Sequence, residues 1–148
     1  MADIDQLAGP LPARVGLLND VAGALTPEAH GAVFTALREA SAATGGEIVV
    51  TLVKRCPITP SVYAFWLFNR WQLGGQHHTG LLFLVALDER RVECEVGYTW
   101  ESVLDEEATE RLLEDEMLPA FREGDWQRGV LSAIAKVQER LAAKGVAS

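Results

Sequence analysis

Two stretches decide the fold: Glu47-Ile48-Val49-Val50-Thr51-Leu52-Val53 and Gly80-Leu81-Leu82-Phe83-Leu84-Val85-Ala86-Leu87. The first is rich in β-branched residues and too short for a helix, which predicts a strand. The second is apolar at nearly every position, the pattern of a central strand covered on both faces. Between them, Thr59-Pro60 predicts the start of a helix running from Val62 to about Leu73, with Gly74-Gly75 as its stop. Strand, helix and strand in this order make a βαβ unit, whose right-handed crossover sets the two strands parallel in one sheet.

Working outward, Asp88-Glu89-Arg90 is a tight connection to Arg91–Val96, where Val92, Cys94 and Val96 alternate with Glu93 and Glu95. That alternation predicts a hairpin with one half-exposed face. Upstream, Thr26-Pro27-Glu28 combines a hydroxyl cap, a proline at the first helical position and an acid in the first turn, so a helix should run to about Thr44 and stop at Gly45-Gly46. Downstream, Asp105 caps a helix reaching about Phe121, and Gly124-Asp125 opens another whose Trp126, Val130, Ile134, Val137 and Leu141 form an apolar stripe. The expected architecture is α/β: an αβα sandwich with a small mixed sheet, one parallel βαβ unit, a β-hairpin and four main helices. Residues 1–9 read as an N-terminal arm, 10–144 as the domain and 145–148 as a C-terminal tail. Pro10 and Pro12 make the segment before Asp20 read as extended.

Composition narrows the function classes. The chain has 148 residues, 49% hydrophobic and 23% charged, which fits one ordered domain. Its formal charge of −8, with no Lys/Arg run longer than two, argues against nucleic acid as a partner. No stretch approaches the roughly 20 apolar residues of a membrane span. Acidic residues stand near Met1 where a secretory signal needs a basic flank, so the expected location is cytoplasmic. Cys56 and Cys94 lack any zinc-site spacing. Cys94 reads as a small buried hydrophobe; Arg55 beside Cys56 would favour a thiolate, yet an unreactive loop thiol is the favoured reading there. There is no P-loop, nucleophile elbow, HExxH or GxGxxG.

The parallel arrangement sorts the loops into two rims. Asp20, Asp88, Glu89 and Asp125 gather at the upper rim, at the C-terminal ends of the parallel strands, and supply the hard oxygen ligands of a candidate Ca2+ or Mg2+ site. Lys54 and Arg55, on the same rim, would neutralise these carboxylates or bind a substrate phosphate. The lower rim collects His78, Tyr98, Glu101 and Asp105, a weaker candidate for a transition metal or acid/base chemistry. The structural alternatives are a turn acceptor for Asp20, hairpin solvation for Asp88 and Glu89, and helix caps for Asp105 and Asp125. In the aromatic helix, Phe65, Trp66, Phe68 and Trp71 read mainly as core, and any member left exposed would mark a partner surface.

Four pieces over about residues 10–141 resemble the TPM domain family. Leu18-Asn19-Asp20-Val21-Ala22-Gly23 with Leu25-Thr26-Pro27-Glu28 is similar to its opening motif, and Leu67-Phe68-Asn69-Arg70-Trp71-Gln72-Leu73-Gly74 to its helix end. Gly80 to Tyr98 is similar to its hairpin. Leu118-Pro119-Ala120-Phe121 followed by Gly124-Asp125-Trp126 is similar to its last helix step. The resemblance implies an αβα sandwich, and it implies either divalent-ion binding with a weak acid-phosphatase activity or action through protein partners. The sequence departs from the family where His78-Thr79 precedes Gly80, a place the family usually gives to Asp-Asn, and where Trp100 occupies a normally small loop position. Both changes fall on the lower rim and would alter or remove a family-type ion site there. The expected function is therefore a binding or interaction module with a candidate divalent-cation site and an unidentified protein partner. The rival is a weak metal-assisted acid phosphatase.

Overall fold

In a computed structural model, which describes residues 3–143, four strands form one sheet in the order β1 (Leu18–Asp20), β2 (Glu47–Val53), β3 (Gly80–Ala86), β4 (Arg91–Val96). β1 and β2 are parallel, β2 and β3 are parallel, and β3 and β4 are antiparallel. The helices are α1 (Ile4–Ala8), α2 (Pro27–Thr44), α3 (Pro60–Arg70), α4 (Glu106–Arg111), α5 (Leu118–Arg122) and α6 (Trp126–Ala143). The expected parallel pair, hairpin and sandwich are all present.

Strand periodicity divides the core in two. Ile48, Val50 and Leu52 of β2, with Leu81, Phe83 and Val85 of β3, face a cluster completed by α2, α6 and the α4–α5 region. Val49 and Val53, with Leu82, Leu84 and Ala86, face the other way onto Tyr63, Ala64, Trp66 and Leu67 of α3. Because β3 is buried on both sides, its apolar run has no alternation. α2 links β1 to β2 on one face, and α3 links β2 to β3 on the other, while the three strands step in one direction across the sheet. The two parallel crossovers therefore have opposite hands. One of them therefore departs from the right-handed rule.

The segment before Asp20 differs from the extended arm expected of it. Asp3 caps the short helix α1, Ala8 is buried, and Asp5 accepts a hydrogen bond from Trp66 Nε1 at 2.6 Å and pairs with Arg70, so the arm is fastened across α3. These two bonds, Trp66 first, hold the Asp5 carboxyl below its usual pKa. Further on, Glu47 at the start of β2 accepts from Arg14 at 2.6 Å and from the Gly74 amide at 2.8 Å. Burial pushes against its ionisation, but these donors win and hold its pKa below the ordinary value. The C-terminal tail expected at 145–148 lies outside the described residues.

The single helix expected from Asp105 to Phe121 is interrupted. Leu112–Met117 is π-helical, separating α4 from α5. Pro119 explains the break, since it lacks an N–H and its ring would press on the carbonyl four residues back, at Asp115, in a regular helix.

Candidate functional site

At the upper rim the strands deliver the expected side chains, but each carboxylate is already engaged. Asp20 ends β1, and its two oxygens accept from the amides of Ala24 and Leu25 at 2.9 Å each, closing the turn into α2. Asp88 in the β3–β4 turn pairs with Arg55 at 3.4 Å. Glu89 accepts from the Cys56 amide at 2.8 Å through one oxygen, while its other oxygen is buried without a hydrogen-bond partner among the described residues. Asp125 accepts from the Arg128 amide at 3.0 Å and caps α6, and the Arg128 side chain also pairs with Glu123. The four proposed ligands thus share a rim but do not converge. Among the described residues, no three His, Cys, Asp or Glu side chains gather closely enough to hold a metal ion.

Arg55 is committed to Asp88 and does not activate Cys56. Burial first, then the Glu89 charge, pushes the Cys56 thiol up to about 12, so it stays protonated near neutrality. Cys94 is likewise pushed up, by burial and by the charges of Glu95 and Glu93.

What the upper rim does build is a cleft of about 630 Å³ between the β3–β4 turn and the corner joining α5 to α6. Leu87, Val92, Leu118, Phe121 and Trp126 give it an apolar lining, with Phe121 and Trp126 tilted at 57° and their ring centres 4.6 Å apart. Arg90, Arg91 and Arg122 also line it, and all three are exposed. Arg91 pairs with Glu93 at 2.9 Å, whereas Arg90 and Arg122 have no acidic partner among the described residues. Arg90 has φ +54°, a left-handed backbone uncommon for a side chain of its size. Phe121 and Trp126 were visible in the sequence as part of the last helix step. The arginines were not singled out, and a signal existed in the pair Arg90-Arg91 at the end of an otherwise acidic turn.

The lower rim is the reverse. Trp100 is fully buried, and its ring lies so close to Gly46 that a Cβ there would meet it at 2.5 Å. The bulky residue that departs from the family pattern is thus a plug under the loops. His77 and His78 are exposed; the His77 carbonyl accepts from the Thr99 hydroxyl at 2.5 Å and the His78 carbonyl from the Thr99 amide at 3.1 Å, which ties this loop to the turn at Tyr98–Trp100. Tyr98 is exposed. Asp105 caps α4 by accepting from the Ala108 amide at 2.9 Å. Glu101 and Asp105 share one open depression with Glu95 and Glu106, and His78 stays outside it. Desolvation, then the charges of Glu93 and Glu101, raise the Glu95 pKa.

On the α3 face, Tyr63 and Trp66 are buried, Phe68 and Trp71 are half-buried, and Phe65 is 57% exposed. The aromatic helix is therefore mostly core, as expected, with one ring left at the surface.

A family model described as the TPM domain (TPM_phosphatase) matches residues 18–140. The N-terminal domain of a protein from P. gingivalis, solved by solution NMR, is similar with 27% identity and a TM-score of 0.76, over 86% of this chain and 83% of that one. The BA42 protein of the psychrophilic bacterium Bizionia argentinensis is similar at 24% identity and a TM-score of 0.73, covering 80% of this chain and 82% of that one. The N-terminal domain of the cg2496 protein from Corynebacterium glutamicum shares the fold at 17% identity and a TM-score of 0.68, over 90% and 84%. No curated protein matches the sequence.

Proposed function

From the premise that this chain belongs to the TPM domain family, we propose that it is a binding module whose ligand seat is the upper-rim cleft. The observation that carries this reading is the cleft itself, with its volume of about 630 Å³ and its apolar lining. Small-molecule sites occupy roughly 300–1,000 Å³ and are mostly apolar with a few polar groups. They also gather beyond the carboxyl ends of parallel strands, which is where this cleft lies. The carboxylates around it are engaged in turns, caps and ion pairs, so the chemistry on offer is recognition. A titration with 1-naphthamide, followed by NMR at the Trp126 indole and the Gly124 amide, tests the reading. Saturable shifts confined to the cleft and lost in Trp126→Ala are expected. Shifts centred on Phe65 and α3 would move the seat elsewhere.

A second reading is favoured by the lower-rim depression, which Glu95, Glu101, Asp105 and Glu106 line and where desolvation first, then the charges of Glu93 and Glu101, raise the Glu95 pKa. There Mg2+ or Ca2+ would bind weakly through its water shell, since Mg2+ in particular keeps several waters at sites without a full protein cage. A metal-assisted phosphatase needs more, namely an activated nucleophile or two close metal ions. Turnover of p-nitrophenyl phosphate that depends on Mg2+ and falls in Glu95→Gln would favour that rival.

A further inference from the structure

Resting on the cleft reading above, we infer that the ligand is a small organic anion, an apolar body carrying a carboxylate or a phosphate. The chain carries a formal −8, with 21 acidic and 13 basic residues, so an arginine without a partner is not for want of carboxylates. Most acids around the cleft mouth are taken by a cation: Asp88 by Arg55, Glu93 by Arg91, and Glu123 and Asp125 by Arg128, while Glu89 turns inward, one oxygen accepting from the Cys56 amide and the other buried without a partner. Arg90 and Arg122 are left over, approaching the cleft from two segments that only the fold brings together, the hairpin turn and the end of α5.

A guanidinium is a planar set of donors that matches the oxygens of carboxylate or phosphate. Placed beside an apolar floor, two of them define a ligand with an anionic head and a hydrophobic body, the body seated against Phe121 and Trp126. The positive φ of Arg90 fits the same picture, because a turn position suited to Gly or Asn instead holds a long cation. A long peptide is disfavoured by the size of the cleft, which is that of a single small-molecule site.

The experiment compares 1-naphthoate, 1-naphthyl phosphate and the neutral 1-naphthamide on the full chain, with affinities from calorimetry and location from the Trp126 and Gly124 signals. At least one anion should bind about tenfold or more tightly than the amide, since charge-assisted hydrogen bonds are the stronger class. The comparison of the two anions tells carboxylate from phosphate. Arg90→Ala with Arg122→Ala should erase the anion preference while amide binding persists, and Arg111→Ala, remote and paired with Glu107, should change nothing. Equal affinity for anions and amide, or an anion preference that survives loss of both arginines, overturns the inference and leaves the cleft reading standing. If none of the three probes perturbs the cleft, both readings fall.

Discussion

The two rims of the sheet do opposite things with their charged side chains. At the upper rim the acids are mostly engaged, in ion pairs or by backbone amides, and two arginines are left over beside an apolar hollow. At the lower rim Glu95, Glu101, Asp105 and Glu106 line an open depression, and the space beneath the loops is filled by Trp100. Proximity in the fold is therefore only half of a binding site. Which charges already have partners decides the other half, and on that ground the upper rim, acidic in sequence, is the proposed seat for an anion.

The comparison breaks most visibly if the lower-rim plug is removed. Trp100→Ala should cost about 3–5 kcal/mol by urea denaturation, as for other buried large-to-small changes. Under native conditions the same variant should leave upper-rim probe binding unchanged, because the two rims lie at opposite ends of the strands. Next comes Asp20→Ala, which strands the Ala24 and Leu25 amides and should destabilise by about 1–2 kcal/mol. If Asp20 is a turn acceptor, that loss is the same with and without millimolar Ca2+ or Mg2+. A loss that grows when the ion is present would restore the upper-rim metal site.

The smallest effect sharpens the lower rim. The Glu95 pKa is raised in the folded state, so its ionised form is a burden at neutral pH. Glu95→Gln should stabilise by about 0.5 kcal/mol at pH 7, a figure kept low because solvent screens a part-exposed carboxylate. The sign follows from the direction of the shift: the gain shrinks as pH falls through the raised folded value and vanishes below about 4.5, where the carboxyl is protonated in both states. Thermal melts across that range check it. Millimolar Mg2+ should mimic the substitution in the wild-type chain if the second reading holds.

The elements that depend on local pattern were legible from residues alone. β2 and β4 begin and end where the β-branched run and the alternation place them, and α2 runs from Pro27 to Thr44 between its cap and Gly45. β1 was not legible because Leu18-Asn19-Asp20 has little strand propensity and is a strand only through its pairing with Val50–Leu52. α1 is five residues long and owes its place to Trp66 and Arg70, about 60 positions away. The rims were legible in outline, since βαβ logic put Asp20, Arg55, Asp88 and Glu89 on one edge. The cleft was not, because it depends on how the corner after α5 meets the hairpin and on which acids Arg55, Arg91 and Arg128 consume. Such pairings are set by three-dimensional packing and leave no periodic trace.

The π-helical stretch at Leu112–Met117 has a consequence for how the ligand seat can evolve. Such a bulge carries one residue more than the regular spiral it replaces, and one residue amounts to about 100° of rotation at 3.6 residues per turn. Leu118, Phe121 and Arg122 owe their aim to that offset. Wound as a regular helix with no residue removed, the same sequence would turn all three by that angle away from the hairpin, so the irregular stretch is what lets this chain present them to the proposed seat.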